Sequence, residues 1–159
     1  MRFLIYLFGT VFYSGRAPVA PGSAGSLLSL AILLLIARCA GPAAYSLALA
    51  AGILFMIIAG IPAASWIEKR EGVKDAPFIV IDEAIGQWIA FLFIPAKLMI
   101  SVWWVPLAGF LLFRFFDIVK IFPAKRAERL PRGLGVVMDD VVAGLYACAG
   151  LNLLVYYLV

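Results

Sequence analysis

Long apolar stretches alternate with short charged ones along this chain, at lengths typical of membrane-crossing helices. Residues 43–64 carry no charge. At a rise of about 1.5 Å per residue, a helix of this length covers about 33 Å, enough to cross the hydrocarbon of a bilayer. Further apolar segments lie at residues 27–37, 78–95, 98–116 and 136–159. The pattern predicts an all-α protein: a polytopic integral membrane helical bundle with about five membrane segments, in a single domain over residues 1–159.

The composition also favours a membrane protein over a soluble domain. Of the 159 residues, 65% are hydrophobic and 14% are charged, whereas soluble domains have about 45–50% apolar and about 25% charged residues. The mean hydropathy is +1.08. The net charge of +4 is small, so we expect no nucleic-acid partner. We expect the basic residues to contact the lipid bilayer instead.

Lys and Arg are distributed unevenly between the two sides of the predicted bundle. If the N-terminus lies in the cytoplasm, five crossings place the N-terminal arm and the loops at 65–78 and 114–135 on the cytoplasmic side. These regions hold 11 of the 13 basic residues, and only Arg38 and Lys97 fall on the other side. The distribution follows the positive-inside rule. The same topology places all nine acidic residues at the cytoplasmic end.

Acidic residues occur at the edges of the apolar segments, where a carboxylate costs about 2.5–3.5 kcal/mol on insertion scales and usually has a function. Only 11 uncharged residues, 84–94, follow the first acidic pair. They would cover about 17 Å as a helix, too short for a full crossing. We therefore expect this pair to lie inside the membrane boundary. The predicted site contains five carboxylates from three segments, those of Asp82, Glu83, Asp117, Asp139 and Asp140.

This set of residues predicts a magnesium site that handles a phosphate. Mg²⁺ prefers carboxylates, water and substrate phosphate as ligands, so we expect all five carboxylates to be metal ligands and catalytic residues. Arg114 and Lys120 flank Asp117 at spacings of three residues, so a cation lies on each side of this acid. We expect Lys120 to be catalytic and Arg114 to bind the phosphate. A helix start at Gly22, Ser23, Gly25 and Ser26 would offer free backbone N–H groups to the same anion.

Missing residue types narrow the possible chemistry. The chain has no His, and neither cysteine is followed six residues later by Arg, which excludes phosphatases that use those nucleophiles. No D-x-x-D-G motif occurs, which excludes a CDP-alcohol phosphotransferase. The usual aspartyl-phosphate motif, D-x-D-x-T, is also absent, so we expect direct attack by water without a phosphoenzyme, with an aspartyl nucleophile as the alternative. A cation-coupled membrane transporter is the alternative, because intramembrane carboxylates also mark ion pathways. Transporters usually contain internal repeats, and this chain shows none.

Four motif blocks, in order along nearly the whole chain, resemble those of the phosphatidylglycerophosphatase A family. The blocks are Ser14-Gly15 with Pro21-Gly22-Ser23-x-Gly25-Ser26-Leu27; Lys74-Asp75 with Ile79-Val80-x-Asp82-Glu83, Gly86 and Trp88; Phe113-Arg114 with Asp117, Lys120 and Pro123; and Gly133-x-Gly135 with Asp139-Asp140 and Ala143-Gly144. Ser23 replaces the family's Thr and keeps its hydroxyl. Ile121 and Arg132 stand where the family has Pro and Gly, which affects local loop geometry rather than the chemistry.

The resemblance implies a specific reaction. Members of this family remove the terminal phosphate of phosphatidylglycerophosphate in a Mg²⁺-dependent reaction of phospholipid biosynthesis, which yields phosphatidylglycerol and inorganic phosphate. It further implies a multi-pass protein of the bacterial cytoplasmic (inner) membrane with its active site on the cytoplasmic side. Lys74, which opens the second block, is then a further candidate ligand of the substrate phosphate.

Overall fold

The computed structural model describes residues 2–159, and within this range all regular structure is helical, as predicted. A 3-10 turn, Ser14–Arg16, follows the first helix. The α-helices, in chain order, are α1 (Arg2–Gly9), α2 (Pro21–Cys39), α3 (Pro42–Glu71), α4 (Ile81–Ile89), α5 (Ala96–Ser101), α6 (Trp104–Val119), α7 (Ala124–Ala127) and α8 (Gly133–Leu158).

Three of these helices are long and apolar enough to cross a membrane. They are α2 with 19 residues, α3 with 30 and α8 with 26. The predicted count of about five membrane segments is not confirmed. The apolar segment at 78–95 contains only the nine-residue helix α4, and the segment at 98–116 is divided between α5 and α6. The division has a local cause, because Pro106 lacks the backbone N–H that a helix interior needs and fits the first turn of a new helix.

The second helix begins earlier than the sequence pattern suggested. We predicted that residues 21–26 open a helix whose body runs from about residue 27 to residue 37, but these residues are already helical, because α2 starts at Pro21. Proline at the first helical position loses no hydrogen bond and has a suitable φ angle. Gly22 and Ser26 therefore lie within the first turns of α2, and the helix geometry fixes which way each residue faces.

Helix α8 is the centre of the bundle, and it packs against α3, α4 and α6. Its crossing with α4 is very close. A Cβ added to Gly144 would lie 2.6 Å from the Gly86 carbonyl oxygen, and one added to Gly86 would lie 2.7 Å from the Asp140 carbonyl oxygen. Glycines permit this backbone contact, as small residues do between membrane helices. Because Asp82 and Asp140 each precede one of these glycines by one helical turn, the crossing brings the two acids together.

Candidate active site

Three carboxylates meet where α4 crosses α8. One carboxylate oxygen from each of Asp82, Glu83 and Asp140 lies within 4.8 Å of the other two. Asp82 and Asp140 are 7% and 3% exposed, and the Glu83 side chain is 16% exposed. Both α4 acids belong to the first turn of that helix, where unpaired N–H groups and the helix dipole favour negative charge. We name these three residues the carboxylate cluster.

An arginine on α6 connects the cluster to α2. The Arg114 Nη1 atom lies 2.8 Å from Asp117 Oδ2 and 4.0 Å from Glu83 Oε1. The same nitrogen lies 3.5 Å from Ser26 Oγ. Asp117 therefore orients the guanidinium, which faces Glu83 and keeps its Nε atom without a partner. Such a group can neutralise part of the cluster's charge and can bind a phosphate through its planar set of donors.

A lysine pairs with the remaining predicted acid. Lys120 Nζ donates a 2.8 Å hydrogen bond to Asp139 Oδ2 and lies 3.5 Å from Glu128 Oε2. Burial lowers the pKa of Lys120, but the hydrogen bond and charge of Asp139, with the charge of Glu128, outweigh this effect and raise the pKa overall. Lys120 is therefore a permanent cation. Asp139 and its neighbour Asp140 lie about 100° apart around α8, so they serve different partners.

The structure brings only part of the predicted phosphate cradle to the cluster. A Cβ added to Gly22 would overlap Glu83 Oε1 and would lie 3.3 Å from Arg114 Nη1, so Gly22 borders the cluster directly. Ser26 reaches it through Arg114. Gly25 instead faces the Val80 side chain. Ser23 is half-buried.

Lys74 contacts the C-terminal end of α7. Its Nζ donates a 3.4 Å hydrogen bond to the Glu128 carbonyl oxygen, and with Asp75 and Val136 it lines a cavity of about 110 Å³. Of the two cations that the sequence analysis assigned to substrate phosphate, only Arg114 touches the cluster.

Several buried oxygens of the site have no hydrogen-bond partner within the described residues. They include Asp82 Oδ1, Glu83 Oε2 and Asp140 Oδ2. Buried polar atoms are almost always paired, so three unpaired carboxylate oxygens in one place indicate a ligand that supplies positive charge. An all-oxygen, carboxylate-rich donor set suits a hard divalent cation such as Mg²⁺. The residues present therefore fit the expected metal.

Sequence reasoning did not single out Gln87. This side chain is fully buried one helical turn after Glu83, and neither its amide oxygen nor its amide nitrogen has a partner. Its only signal in the sequence is a polar residue in an apolar stretch, four positions after a candidate ligand. The residue extends the polar surface of the site along α4 into the bundle.

Comparisons with known proteins identify a family, while the relatives are named for two different substrates. Residues 7–155 match the family model described as phosphatidylglycerophosphatase A. The chain is 40% identical over 146 residues to a candidate phosphatidylinositol-3-phosphatase of Bacteroides thetaiotaomicron, covering 91% of this chain and 89% of that protein. It is 33% identical over 141 residues to phosphatidylglycerophosphatase A of Escherichia coli, covering 88% of this chain and 77% of that protein. The protein of the same name from Haemophilus influenzae is 34% identical over 147 residues, covering 90% of this chain and 83% of that protein. No solved structure matches significantly.

Proposed function

Since this chain belongs to the phosphatidylglycerophosphatase A family of phosphatases, we propose that it hydrolyses the terminal phosphate of phosphatidylglycerophosphate to give phosphatidylglycerol and inorganic phosphate. The observation that carries this proposal is the carboxylate cluster with Arg114 beside it. It combines a place for a divalent cation with a donor for a phosphate. A phosphomonoester on a membrane lipid requires both at the level of its headgroup.

The cofactor that we propose is Mg²⁺, held by Asp82, Glu83 and Asp140. When bound, it neutralises the carboxylates and polarises the phosphoryl oxygens as a Lewis acid. Asp117 and Asp139 already have close cationic partners. We therefore propose that Asp117 mainly orients Arg114 and that Asp139 mainly orients Lys120, with contact to the metal as a secondary role of both acids.

The protein's own side chains account for the other requirements of hydrolysis. Arg114 binds the non-bridging oxygens of the phosphate and stabilises the charge that builds up on them. Lys120, which stays protonated, supplies a second positive charge near the site. The chain has no His, so a carboxylate of the cluster accepts a proton from the attacking water. The water oxygen forms a bond to phosphorus while the phosphorus–oxygen bond to the lipid glycerol breaks, without a covalent enzyme intermediate. The departing glycerol oxygen takes up a proton, from the carboxylate that accepted one or from a second water, which completes phosphatidylglycerol.

The proposed location is the cytoplasmic face of a bacterial inner membrane, with the chain crossing several times. This proposal rests on the distribution of Lys and Arg, which favours a cytoplasmic position for the end of the bundle that carries the acids. A phosphate at the headgroup level of an anchored lipid would meet the cluster there. The cytoplasm would supply water and take up the released phosphate.

Phosphatidylinositol 3-phosphate is a second candidate substrate, favoured by the 40% identity to the Bacteroides protein. The test is phosphate release by purified protein from each of the two lipids in the same mixed micelles, with and without Mg²⁺. Asp82→Asn serves as the inactive control. We expect a higher kcat/KM for phosphatidylglycerophosphate and no release with EDTA. A higher kcat/KM for the inositol lipid would overturn the headgroup assignment. Cation flux without phosphate release would favour the transporter alternative.

A further inference from the structure

Gln87 is a polar side chain in the interior of the bundle, where an apolar one would be more stable. It is 0% exposed, and both its amide oxygen and its amide nitrogen lack a hydrogen-bond partner within residues 2–159. A buried amide without partners destabilises a fold, and an apolar side chain of similar size removes this cost. We propose that Gln87 is a positioning residue of the active site, whose amide links the Glu83 carboxylate to the Arg114 guanidinium. This inference rests on the proposed function, because the linked groups are the proposed metal ligand and phosphate donor.

Unpaired buried side-chain atoms are concentrated at this one place. Within the described residues there are eight such nitrogen and oxygen atoms, and one of them, Tyr45 Oη, belongs to another part of the bundle. The other seven are Asp82 Oδ1, Glu83 Oε2, Arg114 Nε, Asp139 Oδ1, Asp140 Oδ2 and the two amide atoms of Gln87. Buried polar atoms almost always have partners. Seven exceptions in neighbouring side chains therefore indicate one polar network, to which Gln87 belongs.

The geometry of α4 places Gln87 next to Glu83. The two residues are four positions apart in this helix, so they share one face and their Cβ atoms lie about 5–6 Å apart. Side chains of a helix lean toward its N-terminus, so a long side chain at position 87 leans back toward Glu83. The preceding residue, Gly86, packs against α8 at the cluster, because a Cβ added to it would lie 2.7 Å from the Asp140 carbonyl oxygen.

Arg114 lies along the same turn of α4. Its Nη1 atom lies 4.0 Å from Glu83 Oε1 and 3.5 Å from Ser26 Oγ of α2. Further along α4, the Trp88 indole N–H donates to an α2 carbonyl oxygen at 3.0 Å. The two helices therefore run side by side here, and the guanidinium faces the turn that leads from Glu83 to Gln87.

The unpaired atoms of these three side chains are complementary. Arg114 Nε is a donor and Glu83 Oε2 is an acceptor, and an amide supplies an acceptor oxygen together with a donor NH2 group. The amide oxygen of Gln87 therefore suits the Nε–H, and its NH2 group suits the carboxylate. A bridging water makes nearly as favourable a link as a direct hydrogen bond. Through these two links one side chain fixes the metal ligand and the phosphate donor relative to each other.

Two substitutions separate this role from packing. Gln87→Met keeps the length of the side chain but has no N–H donor and only a weak acceptor, whereas Gln87→Asn keeps the amide and loses one methylene. The Kd for Mg²⁺ would be measured by isothermal titration calorimetry in detergent. We expect Gln87→Met to raise this Kd about tenfold, because loss of a partner that orients a metal ligand typically costs 10–100-fold. Gln87→Asn should stay within about threefold of wild type through a bridging water.

Thermal stability in EDTA should follow the opposite order. Gln87→Met should have a Tm equal to or above that of wild type, because it removes an unpaired buried amide. Gln87→Asn should have a lower Tm, because it leaves a cavity. Tyr45→Phe is the matched control, since it also removes an unpaired buried atom. Tyr45 lies about 22 Å along α3 from Gly60, which faces α4, so the Kd for Mg²⁺ should not change in this variant.

A Kd in Gln87→Met equal to that of wild type would overturn the inference. A larger rise in Gln87→Asn than in Gln87→Met would also overturn it, because that order follows side-chain volume rather than polarity. Absence of Mg²⁺ binding by wild-type protein would overturn it together with the proposed cofactor. Phosphate release from both candidate lipids would be measured in parallel. A weaker Kd in Gln87→Met, in a protein that hydrolyses neither lipid, would contradict the proposed function and leave the role of Gln87 standing.

Discussion

Substituting alanine for Gly22 separates catalytic geometry from folding. The new methyl group would overlap Glu83 Oε1, whereas ordinary contact begins at about 3.4 Å. Because the obstacle is the end of a side chain, the Glu83 carboxylate can move while the helices stay in place. A displacement of about 1 Å in a catalytic group can lower the rate about a hundredfold. We therefore expect Gly22→Ala to lower kcat about a hundredfold.

Stability should change in the opposite direction. Gly22 is the second residue of α2, so alanine gains at most the helix-interior preference over glycine of about 0.5–1 kcal/mol, which comes from its lower backbone entropy in the unfolded chain. Part of this gain is offset by the moved carboxylate. We expect an unchanged or slightly higher Tm in detergent, together with the loss of phosphate release. Gly150→Ala is the control, because its methyl group would meet Leu112 at an ordinary 3.5 Å.

A double variant sharpens the test. Glu83→Asp shortens the side chain that Gly22→Ala displaces, so the effects of the two changes on kcat should be strongly non-additive. In the Glu83→Asp background the overlap is gone, and Gly22→Ala should then cost little further activity. Gly22→Ala with activity within about threefold of wild type would refute the close approach as a catalytic requirement. A large loss of Tm would show that the effect is on folding.

The other predictions concern charge and topology. Asp82→Asn, Asp117→Asn and Asp140→Asn should each lower kcat at least about a hundredfold with the fold retained, since each removes a charge from the site. Glu128→Gln, at a partly exposed ion pair, should be nearly neutral, and equal mild losses at all four positions would contradict the assignment. Because the pKa of Lys120 is raised in the folded protein, the stabilising effect of the lysine is complete below its ordinary pKa of about 10.5 and declines only as the pH rises through the higher folded value. The Tm difference between wild type and Lys120→Gln should therefore stay constant from about pH 6 to pH 9. A difference that disappears within this window would exclude a permanent cation. Cysteines introduced between α6 and α8 should react with impermeant reagents from the cytoplasmic side only, and a cysteine at the C-terminus should react from the outer side only. A C-terminus labelled from the cytoplasmic side would contradict the predicted topology.

The sequence was sufficient for the class of fold and for much of the site. Apolar segments of membrane length predict helices without further information, because backbone groups in lipid must be hydrogen-bonded locally. The cost of a carboxylate near hydrocarbon marked Asp82 and Asp140 as functional candidates. The structure brings these two within reach of each other, together with Glu83.

Tertiary contacts account for what the sequence could not supply. Nothing in the sequence distinguishes Asp139, which pairs with Lys120, from Asp140, which joins the cluster. The difference arises from the rotation of α8 against its neighbours. The count of about five crossings is not confirmed, because hydropathy measures composition and does not detect where a helix ends. Gln87 was overlooked because its burial depends on helices that pack around α4.

The glycine crossing of α4 and α8 has a mechanical consequence. Membranes of different thickness tilt the helices that cross them, and two helices that touch at one point rotate about that point. The cluster lies one turn, about 5 Å, from the Gly86–Gly144 contact, whereas the C-terminal end of α8 lies about 20 Å beyond it. A tilt of about 3° would move the acids by only about 0.3 Å and the far end by about 1 Å. The crossing thus acts as a pivot that is close to the chemistry, and the deformation is absorbed at the opposite end of the bundle.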